Sequence, residues 1–141
     1  ALAASKAFPY YAAIAATNLA EAYLELGDLE QAQHYAYEVL NQEERQPYPY
    51  AMFTLGRIKV RQGTIADAHK YFIEAARIGE ANGDSFIAAY AQREAGCLQR
   101  AKGDEQAAIQ ALRAALHFFE SAGIDQEAEK TRQLLLASEA T

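Results

Sequence analysis

The sequence predicts an all-α protein, a right-handed α-solenoid of three helical hairpins followed by a capping helix. Glycines recur at Gly27, Gly63 and Gly103, and apolar residues on both sides of each glycine have the spacing of amphipathic helices. Small residues recur in the same register before and after these glycines. They are Ala20, Gly56 and Gly96 on one side and Ala32, Ala68 and Ala108 on the other. About three stacked hairpins are needed to bury a continuous core, and the three copies of this pattern supply that number.

The first hairpin is predicted over residues 9–43. Pro9 suits the first turn of its first helix, because the missing N–H of proline is not needed there. Residues 1–8 fit either the end of a preceding helix or an irregular lead-in. Gly27 can take the positive φ that ends a helix, and the carboxylate of Asp28 can cap the helix that follows.

The later elements repeat this pattern. The second hairpin is predicted over residues 48–82, after a proline-containing connection that disfavours helix. The third is predicted over residues 85–122, and a seventh helix over 125–137 is expected to cover the last repeat. The whole chain, residues 1–141, is thus predicted to be a single domain. Its first residue is alanine, which is consistent with a fragment of a longer protein.

Composition narrows the class of protein. A net charge of −6 disfavours direct binding to nucleic acid, although residues 48–102 carry a net charge of +3 from eight basic and five acidic side chains. No run of about 18 apolar residues is present, so no membrane span is expected. The single cysteine, Cys97, cannot form an internal disulfide and fits a reducing compartment. A soluble cytoplasmic protein is therefore predicted.

The sequence lacks the patterns that usually carry chemistry. His34, His69 and His117 lie on three different predicted helices without companions at metal-ligand spacing. Glycine-rich phosphate loops and nucleophile elbows are also missing. We therefore expect no enzyme activity, no metal and no cofactor.

The recurring small residue, aromatic residue, Gly-Asp turn and following alanine resemble the tetratricopeptide repeat family. The intervals of 36 and 40 residues are similar to the extended repeats of bacterial signalling and regulatory proteins. The third copy departs from the pattern at Gln92, Gln99 and Glu105. The resemblance implies a module that binds a protein or peptide.

In that family the first helices of successive hairpins line a concave groove. Arginines there can bind carboxylates with two hydrogen bonds, and aromatic rings supply apolar contact area. The residues that the resemblance places in a peptide-binding groove are Tyr50, Phe53, Arg57, Arg61, Tyr90, Arg93, Cys97 and Arg100. An alternative interpretation is that the arginines pair with acidic residues of the protein itself, Glu21, Glu25 and Glu94.

The resulting hypothesis is a protein–protein interaction scaffold that binds a peptide or helix with acidic and apolar side chains. A second hypothesis is a regulatory sensor or oligomerisation segment of a larger signalling or transcription-regulating protein. In that case homo-oligomers would form through the ends of the stack. Apolar residues left uncovered near the N-terminus, such as Tyr10, Tyr11 and Ile14, would favour this second hypothesis.

Overall fold

The computed structural model describes the backbone of residues 2–139 and the side chains of residues 11–137. Within this part of the chain the backbone forms seven α-helices and no strand, so the prediction of an all-α chain of helical hairpins is confirmed. The helices are α1 (Leu2–Leu26), α2 (Leu29–Leu40), α3 (Tyr48–Arg61), α4 (Ile65–Ala81), α5 (Ser85–Ala101), α6 (Glu105–Ser121) and α7 (Asp125–Glu139).

The start of α1 differs from the predicted one. The helix begins at Leu2 and continues through Pro9, so the placement of this proline in the first turn is wrong. A proline removes one hydrogen bond and strains the preceding turn, but a long helix with many other hydrogen bonds can continue through it. The remaining helix boundaries lie close to the predicted ones.

The turn between α1 and α2 has the predicted form. Gly27 has a φ of +83°, and its N–H donates to the carbonyl of Leu24 over 3.0 Å. The N–H of Asp28 donates to the carbonyl of Tyr23 over 2.9 Å, which completes a Schellman motif. The Asp28 carboxylate then accepts from the backbone N–H of Gln31, over 3.2 Å. The same helix stop and cap recur between α5 and α6.

The chain divides into two compact units, Ala1–Ala75 and Ala76–Thr141, with the division inside α4. We call them the N-terminal and the C-terminal unit. In the N-terminal unit α1 packs against α2, and α3 packs against both. In the C-terminal unit α6 packs against α5 and α7. The single domain that the sequence suggests stays a prediction.

Small residues allow close helix packing in each unit. In the N-terminal unit, a Cβ added to Gly56 would lie only 2.6 Å from Cε1 of Phe72, so the ring occupies the space that a side chain would take. Ala20 and Ala32 are fully buried between α1 and α2. In the C-terminal unit, a Cβ at Gly96 would lie 3.1 Å from the Cβ of Ala111. The recurring small residues therefore serve packing.

Candidate functional site

Four of the predicted groove residues lie on α3 in the N-terminal unit. Tyr50, Phe53, Arg57 and Arg61 are separated by three, four and four positions, which places them on one face of the helix. The first three are half-buried and Arg61 is exposed. The Phe53 ring packs on Phe72 with a centroid distance of 5.5 Å. The structure thus places aromatic and guanidinium groups together on one face of α3.

Both arginines of α3 contact α1. Nη2 of Arg57 lies 2.8 Å from Oε1 of Glu25, and the two side chains are 33% and 65% exposed. Arg57 therefore has one of the partners that the alternative interpretation names. Arg61 donates to the backbone carbonyl of Leu24, in the last turn of α1, which also accepts from the N–H of Gly27. An ion pair as exposed as this one contributes only about 0–1 kcal/mol, so its arginine can exchange partners easily.

Arg93 has a different environment, on α5 in the C-terminal unit. The residue is only 7% exposed, and its Nη2 lies 2.7 Å from Oε2 of Glu127 on α7. Its Nη1 donates to Oγ1 of Thr131 over 3.2 Å. The guanidinium carbon lies 5.0 Å from the ring centroid of Tyr90 and 5.2 Å from that of Phe119, at cation–π distance. Arg93 is thus largely buried, and it lines one side of a pocket of about 560 Å³ beside Glu94 and Leu134.

The charge of Arg93 changes the titration of its neighbour. Burial raises the pKa of the Glu127 carboxyl, but the hydrogen bond and the positive charge of Arg93, with a contribution from Lys130, more than offset this effect. The resulting pKa lies below the ordinary value, so Glu127 is ionised at neutral pH. Burial also raises the pKa of the Tyr90 hydroxyl, and the nearby Glu127 raises it further.

The other two predicted residues of α5 also make internal contacts or are shielded. Arg100 donates from Nη2 to the backbone carbonyl of Leu134 on α7. Cys97 is half-buried, and burial raises the pKa of its thiol, with Glu94 raising it further. Less thiolate is then present, which disfavours a role for Cys97 as a nucleophile.

Sequence reasoning missed Glu127 and Thr131. They lie four positions apart on α7 and so share one face of that helix. This spacing was the one sequence signal that they could act together. No spacing in the sequence connects them to Arg93, which lies 34 positions before Glu127. The carboxylate in contact with the buried guanidinium of Arg93 is that of Glu127, which the sequence did not indicate.

A pocket of about 370 Å³ lies elsewhere in the N-terminal unit and contains none of the predicted site residues. Its most notable feature is a hydrogen bond of 3.2 Å between the hydroxyls of Tyr37 and Tyr71. Burial, followed by this hydrogen bond, raises the pKa of Tyr71 to about 12. The residues that line the pocket are Tyr37, Met52, Lys59, Asp67, Lys70, Tyr71 and Glu74.

Among the described residues, no three histidine, cysteine, aspartate or glutamate side chains are grouped closely enough to hold a metal ion. Among the helices of residues 2–139, none combines the length and the apolar character that crossing a membrane requires. On α3, guanidinium N–H donors lie beside aromatic rings on one helix face.

Residues 13–45 match the model of the tetratricopeptide repeat family, and this segment contains most of α1, the Gly27 turn and α2. No curated protein matches the chain. Tetratricopeptide repeats generally mediate protein–protein interactions, and folds of this kind are typically scaffolds without enzymatic activity. The resemblance to the tetratricopeptide repeat family is therefore confirmed for residues 13–45.

Proposed function

We propose that this chain is a protein–protein interaction scaffold that binds a peptide or helix with acidic and apolar side chains. The observation that carries the proposal is the face of α3, where Tyr50, Phe53, Arg57 and Arg61 lie together. Arg93 and Arg100 have a different role in this proposal. Because both contact α7, they hold the C-terminal unit together.

The exposed ion pair on α3 supports this assignment. A carboxylate of the partner would replace the Glu25 carboxylate on Arg57 and form two hydrogen bonds with the guanidinium. Losing the internal pair costs at most about 1 kcal/mol, and the freed Glu25, which is 65% exposed, returns to water. The half-buried rings of Tyr50 and Phe53 would supply apolar contact beside the charged group.

The test uses synthetic peptides selected from a display library of acidic and aromatic peptides. Arg57→Glu is compared with Lys70→Glu, a charge reversal of equal size at an exposed position of α4. We expect Arg57→Glu to weaken binding of the selected peptide at least about tenfold, or about 1.4 kcal/mol, and Lys70→Glu to leave it within about twofold. Circular dichroism checks that both variants are folded. Equal affinity of folded Arg57→Glu and the unaltered chain would refute the proposal.

A second candidate function is an oligomerisation segment of a larger regulatory protein. Tyr11 is 67% exposed and Ile14 is 37% exposed, so two of the three apolar residues named from the sequence are uncovered. The side chain of Tyr10 lies outside the described residues. These exposures favour contact with another copy of the chain, and the role in signalling stays a prediction.

A further inference from the structure

The outward face of α1 is unusually apolar. No charged residue occurs between Lys6 and Glu21, although α1 has one side in water. Its buried side carries Ala20 and Leu24, which pack against the rest of the N-terminal unit. A helix that is apolar all round normally has both of its sides covered. We therefore expect the outward face of α1 to contact a second apolar surface.

This face is formed by residues that repeat along one side of the helix. Tyr11, Leu19 and Leu26 are 67%, 41% and 78% exposed, and Ala15 and Ala22 are exposed between them. Isolated exposed apolar residues are normal, but a continuous stripe of them along a helix marks an interaction surface.

The last helix of the chain shows the contrast. Most outward positions of α7 carry charged and polar side chains, although Leu136 is 57% exposed, and Arg132 pairs there with both Glu120 and Glu129. Helix α7 is thus suited to lie against water on one side. Helix α1 has no charged side chain over residues 7–20 that could form such pairs, and its outward face is suited to lie against another apolar surface.

We propose, resting on the second candidate function above, that the outward face of α1 binds the same face of a second copy of this chain in antiparallel orientation. The spacing of the exposed residues is symmetric about a point between Asn18 and Leu19. Antiparallel pairing at that point sets Tyr11 opposite Leu26 of the second copy, and Ala15 opposite its Ala22. A two-fold interface requires this kind of self-complementarity, in which each contact occurs twice.

The chemistry of the opposed positions is compatible. Alanines opposite alanines let two helices approach to the short end of the usual range of about 8–10 Å. The Asn18 side chains of the two copies would lie near the symmetry axis, where an amide in an otherwise apolar seam can fix the register. Glu25 would lie opposite Ala12, so no like charges are placed opposite each other.

The available area is sufficient for a modest dimer. If the whole exposed area of the stripe were covered, at most roughly 500–600 Å² per copy, about 1,100 Å² in total, would be buried, near the lower limit for a specific interface. Residues 1–47 carry two basic and seven acidic side chains, a net charge of −5, so two copies repel each other over longer distances. Salt screens this repulsion while leaving apolar contact intact, and dimerisation should strengthen as salt rises.

Sedimentation velocity of the chain over a range of concentrations and salt tests the proposal. Ala15→Glu and Ala22→Lys should each weaken the dimer at least about tenfold, because each buries a charge opposite alanine. The double variant should recover affinity to within about threefold of the unaltered chain, because the carboxylate introduced at position 15 then faces the ammonium introduced at position 22 of the other copy. Ala101→Glu, at an exposed position of α5, serves as the control and should dimerise normally.

Several outcomes would overturn the proposal. The unaltered chain could remain a monomer at every concentration, which would leave the α1 face for a different partner. The double variant could remain dissociated. That result would exclude the antiparallel register, because only parallel pairing would place each introduced charge opposite the same charge of the other copy. Normal dimerisation of folded Ala15→Glu would place the interface elsewhere. Peptide binding to α3 is tested separately, with the Arg57→Glu variant.

Discussion

The contrast between Arg93 and Arg57 makes a prediction about stability. Replacing either arginine by methionine removes one positive charge and keeps most of the apolar stem. The side chains of Arg93 and Glu127 are only 9% and 14% exposed, whereas those of Arg57 and Glu25 are 33% and 65% exposed. The two substitutions therefore differ mainly in how much water surrounds the carboxylate that is left behind.

The expected magnitudes follow from burial. Arg93→Met leaves the Glu127 carboxylate in a largely dry environment without its cation, and breaking such a pair costs about 3–5 kcal/mol. It also removes the contacts of the guanidinium with the rings of Tyr90 and Phe119, worth about 0.5–2 kcal/mol each. Arg57→Met leaves Glu25 in contact with water, and we expect a loss of about 0–1 kcal/mol.

Urea unfolding followed by far-ultraviolet circular dichroism measures both changes. The chain contains no tryptophan, so the helical signal is the practical probe. The double variant Arg93→Met/Glu127→Met supplies the control, because it removes both charges and should recover much of the stability lost in Arg93→Met. That recovery would separate an unpaired buried charge from a general loss of packing.

Two results would refute this reasoning. A loss below about 1 kcal/mol in Arg93→Met, equal to that in Arg57→Met, would mean that the pair does not stabilise the fold. A double variant less stable than Arg93→Met would mean that packing of the guanidinium, and not its charge, dominates. Loss of peptide binding in Arg93→Met with unchanged stability would return Arg93 to the binding surface that the sequence suggests.

Three further predictions concern packing and titration. Gly56→Ala places a Cβ 2.6 Å from the Phe72 ring, and the resulting strain should lower the free energy of unfolding by about 1–3 kcal/mol. This cost exceeds the gain of about 1 kcal/mol from the higher helix propensity of alanine. Adding Phe72→Leu should restore part of the lost stability, and urea unfolding measures both changes. Tyr37→Phe should lower the pKa of Tyr71 from about 12, because it removes the hydrogen bond that adds to burial; tyrosinate absorbance against pH measures this shift. The lowered pKa of Glu127 contributes stability above the unfolded carboxyl pKa of about 4.3, and this stability is lost as pH falls through the lower folded pKa. Glu127→Gln should therefore flatten the acid side of the stability profile.

The sequence predicts the helices well because their boundaries depend on neighbouring residues. The stop at Gly27 and the cap at Asp28 are formed by hydrogen bonds within a few positions, so the residues that decide them are adjacent in the sequence. The spacing of apolar residues likewise decides which face of each helix is buried. Pro9 was misleading because the preference of proline for a first turn is statistical and does not exclude other helix positions.

The environments of the arginines are less predictable. Arg57 and Arg93 both lie on the first helix of a predicted hairpin. The partner of Arg57, Glu25, lies 32 positions before it, whereas the partner of Arg93, Glu127, lies 34 positions after it. Those partners depend on which helix packs beside α3 and which beside α5. Such contacts are decided by tertiary packing. Residue type and spacing therefore place an arginine on a given side of its helix, but they do not show whether a ligand can reach that arginine.

Desolvation therefore decides which arginines serve binding. A ligand must displace whatever an arginine already contacts, and the cost grows with the burial of the displaced group. For Arg57 the displaced carboxylate is exposed and returns to water, so most of the energy of a new contact is available for binding. For Arg93 the ligand would have to separate a buried pair and open two aromatic contacts before gaining anything. A carboxylate-bearing partner should accordingly contact α3 and leave the Arg93 cluster intact, even though both helices present arginine and tyrosine in the sequence.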